Sequence, residues 1–210
     1  MESEPLNDDL ALIVKAASFA AGKHRDQRRK NGDIPYINHP LGVARLLTEV
    51  GGVRDTNVIV GAILHDTVED TDATHGELVR EFGEKIAAIV GEVTDDKALA
   101  KVERKRQQVE HAKSMSPEGR LVKLADKLYN LGDLATLPPP SWSLGRIQGY
   151  FCWAWTVVHA LGDVNEGLQR EIDELFDGDV LFEDVAHPAL PGDEADRATQ
   201  LDAYYALMEG

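Results

Sequence analysis

Apolar residues recur along most of this chain at spacings of three and four, the period of an amphipathic helix, and β-type alternation is confined to short pieces near the C-terminus. Leu10 to Gly22 is the first helical stretch, continued by a basic end, His24-Arg25-Asp26-Gln27-Arg28-Arg29-Lys30. Asn31-Gly32-Asp33 reads as a turn, and Pro35 keeps the chain extended. Pro40 in Asn38-His39-Pro40 marks a helix start, and that helix runs through Leu41, Val43, Leu46 and Leu47 to a stop at Gly51-Gly52. Asn57 to Asp70 is predicted as one helix, apolar at Ile59, Val60, Ile63 and Leu64. Thr74 with Glu77 resembles a capping box before a short helix. Gly83 to Val93 is apolar at helical spacing, while Leu99 to Lys113 is charged enough to predict a solvated helix. Ser116-Pro117 opens the helix that carries LVKLADKLYNL. After the break at Pro138-Pro139-Pro140 come an aromatic-rich helix, Trp142 to Leu161, and another from Val164 to Phe176. The expected fold class is all-α, a helical bundle.

The pattern changes at Gly178. From there to the end the chain has eight acidic residues against Arg197 alone, a contribution of −7 to a net charge of −15. Residues 178–210 are therefore expected to form an acidic C-terminal extension, with a short helix around Ala195–Met208, appended to a domain spanning 1–177. The acidic balance argues against nucleic acid or anionic membrane as partner, because Lys and Arg dominate phosphate binding. Cys152 is alone, so the chain has no disulfide framework and no cysteine zinc site. The start, MESEPLNDDL, has no apolar run of the signal-peptide kind. These features lead to the expectation of a soluble, cytoplasmic protein.

Four residues carry candidate metal chemistry: His39 at a helix start, the pair His65-Asp66 in an apolar helix, and Asp126 in another. Taken singly, a His or Asp on a helix is usually structural. Together they change the reading, since a charge on an apolar helix is costly to bury unless it is paired or metal-bound. Two neutral imidazoles and two carboxylates suit Mn²⁺, Fe²⁺ or Zn²⁺ and balance the charge of one divalent ion. On a continuous helix, Glu69 and Asp70 lie one turn beyond His65 and Asp66. Beside a metal such carboxylates orient or deprotonate the attacking water.

The motifs YINHP (36–40), ILHDTVEDT (63–71), EVTDDK (92–97), ERKR (103–106) and LVKLADKLYNL (121–131) occur in this order. The chain thereby resembles the hydrolase domain of RelA/SpoT proteins, and more closely the stand-alone hydrolases that include the metazoan SpoT homologue. The resemblance covers roughly Leu10 to Leu161. It implies an all-α HD domain holding one Mn²⁺ on His39, His65, Asp66 and Asp126, with Glu69 and Asp70 as the catalytic acids. It implies hydrolysis of the 3′-pyrophosphate of (p)ppGpp to GTP or GDP, without a synthetase activity. A nucleotide is then the expected small-molecule substrate, touched by Arg29, Lys30, Lys101, Asn130, Arg146 and Tyr150.

Two further basic clusters, Lys97/Lys101/Arg104/Lys105/Arg106 and Lys123/Lys127, are candidates to hold phosphate, although any single Lys more often lies on a solvated face. Trp142, Arg146 and Tyr150 share a helix face at i, i+4 and i+8, a possible stacking wall. Phe151, Trp153 and Trp155 are assigned to the core, with His159 as a core histidine and His24, His75, His111 and His187 as structural or surface residues. The turn NGDI is shorter than in relatives, and Gly132 stands where they often carry Arg. Related activities on the same metal site stay open: removal of an NADPH 2′-phosphate, hydrolysis of (p)ppApp, or nucleotide binding without cleavage.

Overall fold

The computed structural model describes residues 8–209, so most of the acidic start lies outside the described residues. The all-α expectation holds. The bundle is built around α3 (Thr56–Leu64) and α8 (Pro117–Thr136). Every residue of α3 from Val58 to Leu64 is buried, and α8 buries Leu124, Ala125, Leu128, Leu131 and Leu134. Around them pack α1 (Asp8–Lys23), α2 (Asn38–Glu49), α6 (Glu84–Val93), α9 (Leu144–Leu161) and α10 (Glu166–Asp177). Short α4 (Thr67–Asp70) and α5 (His75–Phe82) follow α3, and α7 (Lys101–Ala112) lies against α9.

Local chemistry sets the helix ends. Ser116, Ser143 and Asn165 accept from Gly119 N, Arg146 N and Leu168 N, which satisfies donors left over in each first turn. Thr74 caps α5 as expected, but Glu77 reaches Lys23 at 3.1 Å. The predicted Gly51-Gly52 stop is real, with Gly52 at φ +62°, a region that favours glycine.

Three boundaries differ from the sequence expectation. The second helix begins at Asn38, which puts Pro40 in its first turn rather than at its first position. Trp142 precedes α9 instead of lying on it. The helix predicted over 57–70 is broken at His65-Asp66. There the imidazole Nδ1 of His65 and the hydroxyl of Thr67 take the carbonyls of Ala62 (2.7 Å) and Leu64 (2.6 Å), competing with the backbone ladder. Asp66 sits at φ −94°, ψ −4°, and α4 restarts with Asp70 N on Asp66 O at 2.8 Å.

The tail forms a hairpin, β1 (Asp179–Phe182) with β2 (Val185–Pro188), and a long helix, α11 (Glu194–Glu209). Glu183 and Asp184 make its two-residue turn at φ 51° and 62°, as the twist of a hairpin requires. Val180, Ala189 and Tyr204 are buried, and α11 packs on α9 and α7.

The aromatic assignments mostly stand: Phe151 and Trp153 are fully buried, and Trp155 is half-buried. His159, expected in the core, is instead exposed and stacks on Trp155 with ring centroids 3.8 Å apart, because it falls on the outer face of α9. Helix α7 is less solvated than its charge suggests, since it buries Val102 and Ala112 and its Lys105 carbonyl accepts from Trp153 Nε1 at 2.9 Å. Phe151 packs edge-on against Phe176 at 6.5 Å. Phe151→Ala is expected to cost about 3–5 kcal/mol of folding stability by denaturant titration.

Candidate active site

His39, His65 and Asp126 form a buried group whose ligand atoms all lie within 4.8 Å of one another. The two imidazole Nε2 atoms are 3.2 Å apart, and Asp126 Oδ1 is 3.2 Å from the first and 3.7 Å from the second. Asp66 Oδ2 joins them, 3.4 Å from His39 Nε2 and 3.1 Å from His65 Nε2. α2 supplies His39, the break between α3 and α4 supplies His65 and Asp66, and α8 supplies Asp126. The break is what turns two adjacent residues toward one point.

A carbonyl can only accept, so His65 must donate its Nδ1 proton to Ala62 O. In the neutral ring this leaves the lone pair on Nε2, facing the carboxylates, as in metal-ligating histidines. Burial works against charge on His65, yet Asp66 and Asp126 outweigh it and push the imidazole up to about 10. Burial likewise opposes charge on Asp66 and Asp126, but the imidazoles, and Lys127 at 2.8 Å from Asp126, hold both carboxyls well below the usual range. The centre thus favours positive charge, and two nitrogens with two carboxylate oxygens fit a divalent cation.

Tyr36 ties this centre to the acidic pair: its hydroxyl donates to Asp66 at 2.6 Å and lies 3.2 Å from Asp70 Oδ2. Lys97 holds the other Asp70 oxygen at 2.7 Å. Glu69 accepts from Asp95 N at 3.0 Å, and burial, then the nearby Asp95 carboxylate, raises its pKa. Gln27 donates to the Asp70 carbonyl and pairs with buried His24 at 2.7 Å, so that histidine is structural, as expected.

The turn before Pro35 is tight. Arg28 bridges to Pro35, Arg29 N donates to Ile34 O at 2.9 Å, and Tyr36 N donates to Gln27 O at 3.0 Å. This closure presents Arg29 and Tyr36 to the interior. Arg29 is held by Asn130 (2.8 Å) and Asp133 (2.9 Å), and Asn130 donates to Asp126 at 2.7 Å. A side chain at Gly132 would meet open space, so the missing Arg leaves no packing gap.

A cavity of about 380 Å³ lies over the His/Asp cluster. Its wall takes in Glu69, Asp70, Arg29, Lys30, Lys101, Asn130 and Tyr150, and also Tyr36, Lys97, Arg104, Lys105, Lys123 and Lys127. A second cavity of about 350 Å³ shares Arg29, Lys30, Asn130 and Tyr150 with it and adds Leu134, Leu137, Pro139 and Trp142. Arg146 lines neither; it lies over the Trp142 ring at 4.4 Å. Lys101 is depressed by burial and then by Arg146, Lys30 and Arg104, so these cations converge at the rim. A larger groove of about 820 Å³ along α10, lined by Asp163, Glu166, Asp173 and Asp177, shares no residue with the cluster.

Tyr36 went unassigned in the sequence reading although it opens YINHP three residues before His39; its position in that motif was the available signal. Asp95, in EVTDDK, was missed in the same way. No local pattern announced Gln27.

The HD-domain family profile matches residues 16–144. The guanosine-3′,5′-bis(diphosphate) 3′-pyrophosphohydrolase MESH1 of Xenopus tropicalis is 54% identical over 172 residues, covering 81% of this chain and 96% of that protein. The MESH1 protein of Homo sapiens is 52% identical, covering 81% and 96%. Among solved structures, a metazoan SpoT orthologue described as hydrolysing ppGpp superposes with a TM-score of 0.78 at 42% identity, over 83% of this chain and 96% of that one. With the profile spanning more than half the chain and these relatives matched over nearly their whole length, the chain belongs to the HD-domain family and, within it, to the MESH1 group.

Proposed function

We infer that this chain is a guanosine-3′,5′-bis(diphosphate) 3′-pyrophosphohydrolase, converting (p)ppGpp and water to GTP or GDP and pyrophosphate. One observation carries the reading beyond the family resemblance. In a chain of net charge −15, eight of the 22 Lys and Arg line the one cavity that also contains the His/Asp cluster. Such local positive charge in an acidic protein suits a small polyphosphate and not a nucleic acid surface.

His39, His65, Asp66 and Asp126 would hold the ion, for which we propose Mn²⁺. When bound, a divalent ion acidifies water and polarises a phosphoryl oxygen. Asp70, fixed by Tyr36 and Lys97, accepts the proton of the attacking water. Attack at the phosphorus on the ribose 3′-oxygen forms the new P–O bond and breaks the P–O3′ bond. Glu69, whose raised pKa favours the acid form, is the member suited to deliver a proton to O3′. Lys105, Lys123 and Lys127 neutralise the pyrophosphoryl group. Arg29, Lys30, Lys101, Asn130 and Tyr150 hold the rest of the nucleotide, and the apolar wall at Leu134, Leu137 and Trp142 suits its base. Arg146 acts through Trp142.

Lys105 is one of the cavity-lining cations assigned to phosphate. Burial, with Lys127 nearby, depresses its amine well below the usual range, and its Nζ sits 3.2 Å from the Trp153 ring centroid. Arrival of a polyanion restores its proton and charge. Lys105→Met is expected to raise KM for ppGpp about tenfold or more; steady-state kinetics giving a wild-type KM would remove the role.

We place the reaction in the cytoplasm. The lone Cys152 is buried, which suits a reducing compartment, and no described helix is long and apolar enough to cross a membrane. We propose a phosphohydrolase domain over 1–177 and an extension over 178–210, whose described residues pack against it. Hydrolysis in ¹⁸O-water tests the chemistry: label is expected in pyrophosphate and absent from GDP. Label in GDP, or release of inorganic phosphate alone, would overturn the assigned bond.

A further inference from the structure

Tyr150 and Tyr36 are the aromatic residues common to both cavities, and the groups around the Tyr150 ring fix where its side of the shared wall stands. Trp142 and Trp153 flank this ring with ring centroids 6.0 and 5.1 Å away, and Lys105 Nζ is 4.9 Å from its centroid. The fourth neighbour comes from the C-terminal extension. Tyr204 of α11, only 2% exposed, meets Tyr150 edge-to-face at 6.3 Å and 85°.

The approach of α11 is close and specific. A Cβ built on Gly149 of α9 would lie 2.5 Å from Tyr204 Cβ and 2.9 Å from its ring, so the contact needs a glycine there. One turn earlier Gln200 donates to the Gly145 carbonyl. Arg106 of α7 lies over the Tyr205 ring at 5.1 Å. Helix α11 therefore bridges α9, which carries Tyr150, and α7, which carries Lys101, Arg104 and Lys105. No side chain of α11 lines either cavity.

We propose that the C-terminal extension is a working part of the nucleotide pocket, with Tyr204 as a positioning residue that holds the Tyr150 wall against the bound nucleotide. This rests on the substrate assignment above and goes beyond it, because it gives the acidic tail a role in substrate affinity. Tyr204 touches neither the acidic pair nor the His/Asp cluster, so its influence falls on binding rather than on the chemical step.

The test uses the full chain with Tyr204→Ala, Tyr204→Phe and Gly149→Ala, the last displacing α11 while sparing every cavity-lining side chain. Tyr204→Ala and Gly149→Ala are expected to raise KM for ppGpp about three- to tenfold, with kcat within about twofold of wild type, while Tyr204→Phe restores the wild-type KM. Mn²⁺ affinity should stay unchanged in all three. A wild-type KM in folded Tyr204→Ala protein would overturn the proposal. So would a parallel fall in kcat and Mn²⁺ affinity, which marks a merely structural role. If the wild-type protein leaves ppGpp intact, the substrate assignment fails instead. The wall is then read without turnover, by fluorine NMR of fluorotyrosine-labelled protein. The Tyr150 resonance, assigned by its loss in Tyr150→Phe, should move or broaden in Tyr204→Ala. An unmoved resonance would reject the positioning role on its own.

Discussion

Asp70→Asn is expected to keep its metal and lose about 10²–10⁴-fold in kcat, the range for removing a general base. The substitution is nearly isosteric, and Asp70 is not among the four converging donors. The amide oxygen still accepts from Lys97 while its NH2 faces the Tyr36 oxygen, so the link from Tyr36 to Asp66 survives. What disappears is the carboxylate that can take a proton. Metal content by atomic absorption, run beside the kinetics, separates the two contributions. Full activity would remove Asp70 from the mechanism, and lost activity with lost metal would make it a support for the ion.

Asp126→Ala is expected to fail in two ways at once. It removes a ligand atom, so Mn²⁺ affinity and activity fall together. It also strands Lys127, whose buried ammonium is held charged by Asp126 at 2.8 Å. Burial alone favours the neutral amine, so without its partner Lys127 must shed its proton or carry an unpaired charge. Breaking a buried pair costs about 3–5 kcal/mol, which should appear as lower stability of the variant even in chelator, where ligand loss has no effect. His65→Ala provides the contrast: it lowers metal affinity but leaves the Lys127 pair intact. Equal stability of the two variants in chelator would show that the Lys127 pair contributes nothing.

Much of this was legible in the sequence because it is local. Helical periodicity gave the bundle, and His39, His65, Asp66 and Asp126 stood out as polar residues in apolar helices. The break after Leu64 was not legible, because it depends on the His65 and Thr67 side chains competing for carbonyls within a run whose periodicity continues unbroken. Its functional consequence is that His65 and Asp66 aim at one centre without a continuous helical stripe. Helix α7 reads as solvated by composition, yet Trp153 of α9 donates to the Lys105 carbonyl and Arg104 and Lys105 line the cavity. That is a contact about 50 residues away in sequence that no local pattern encodes. The same holds for the tail, where the Gly149 to Tyr204 contact joins two segments that look unrelated. Arg146 shows the opposite case: the spacing with Trp142 suggested a shared helix face, and the two do meet, but across the α9 cap.

The most direct measurement is incubation of metal-stripped protein with ppGpp, with and without Mn²⁺, resolving products by anion-exchange chromatography beside ppApp and NADPH. GDP and pyrophosphate are expected only when Mn²⁺ is restored. Turnover that is equal without metal, or no turnover of ppGpp by protein that has bound Mn²⁺, would contradict a metal-dependent pyrophosphohydrolase.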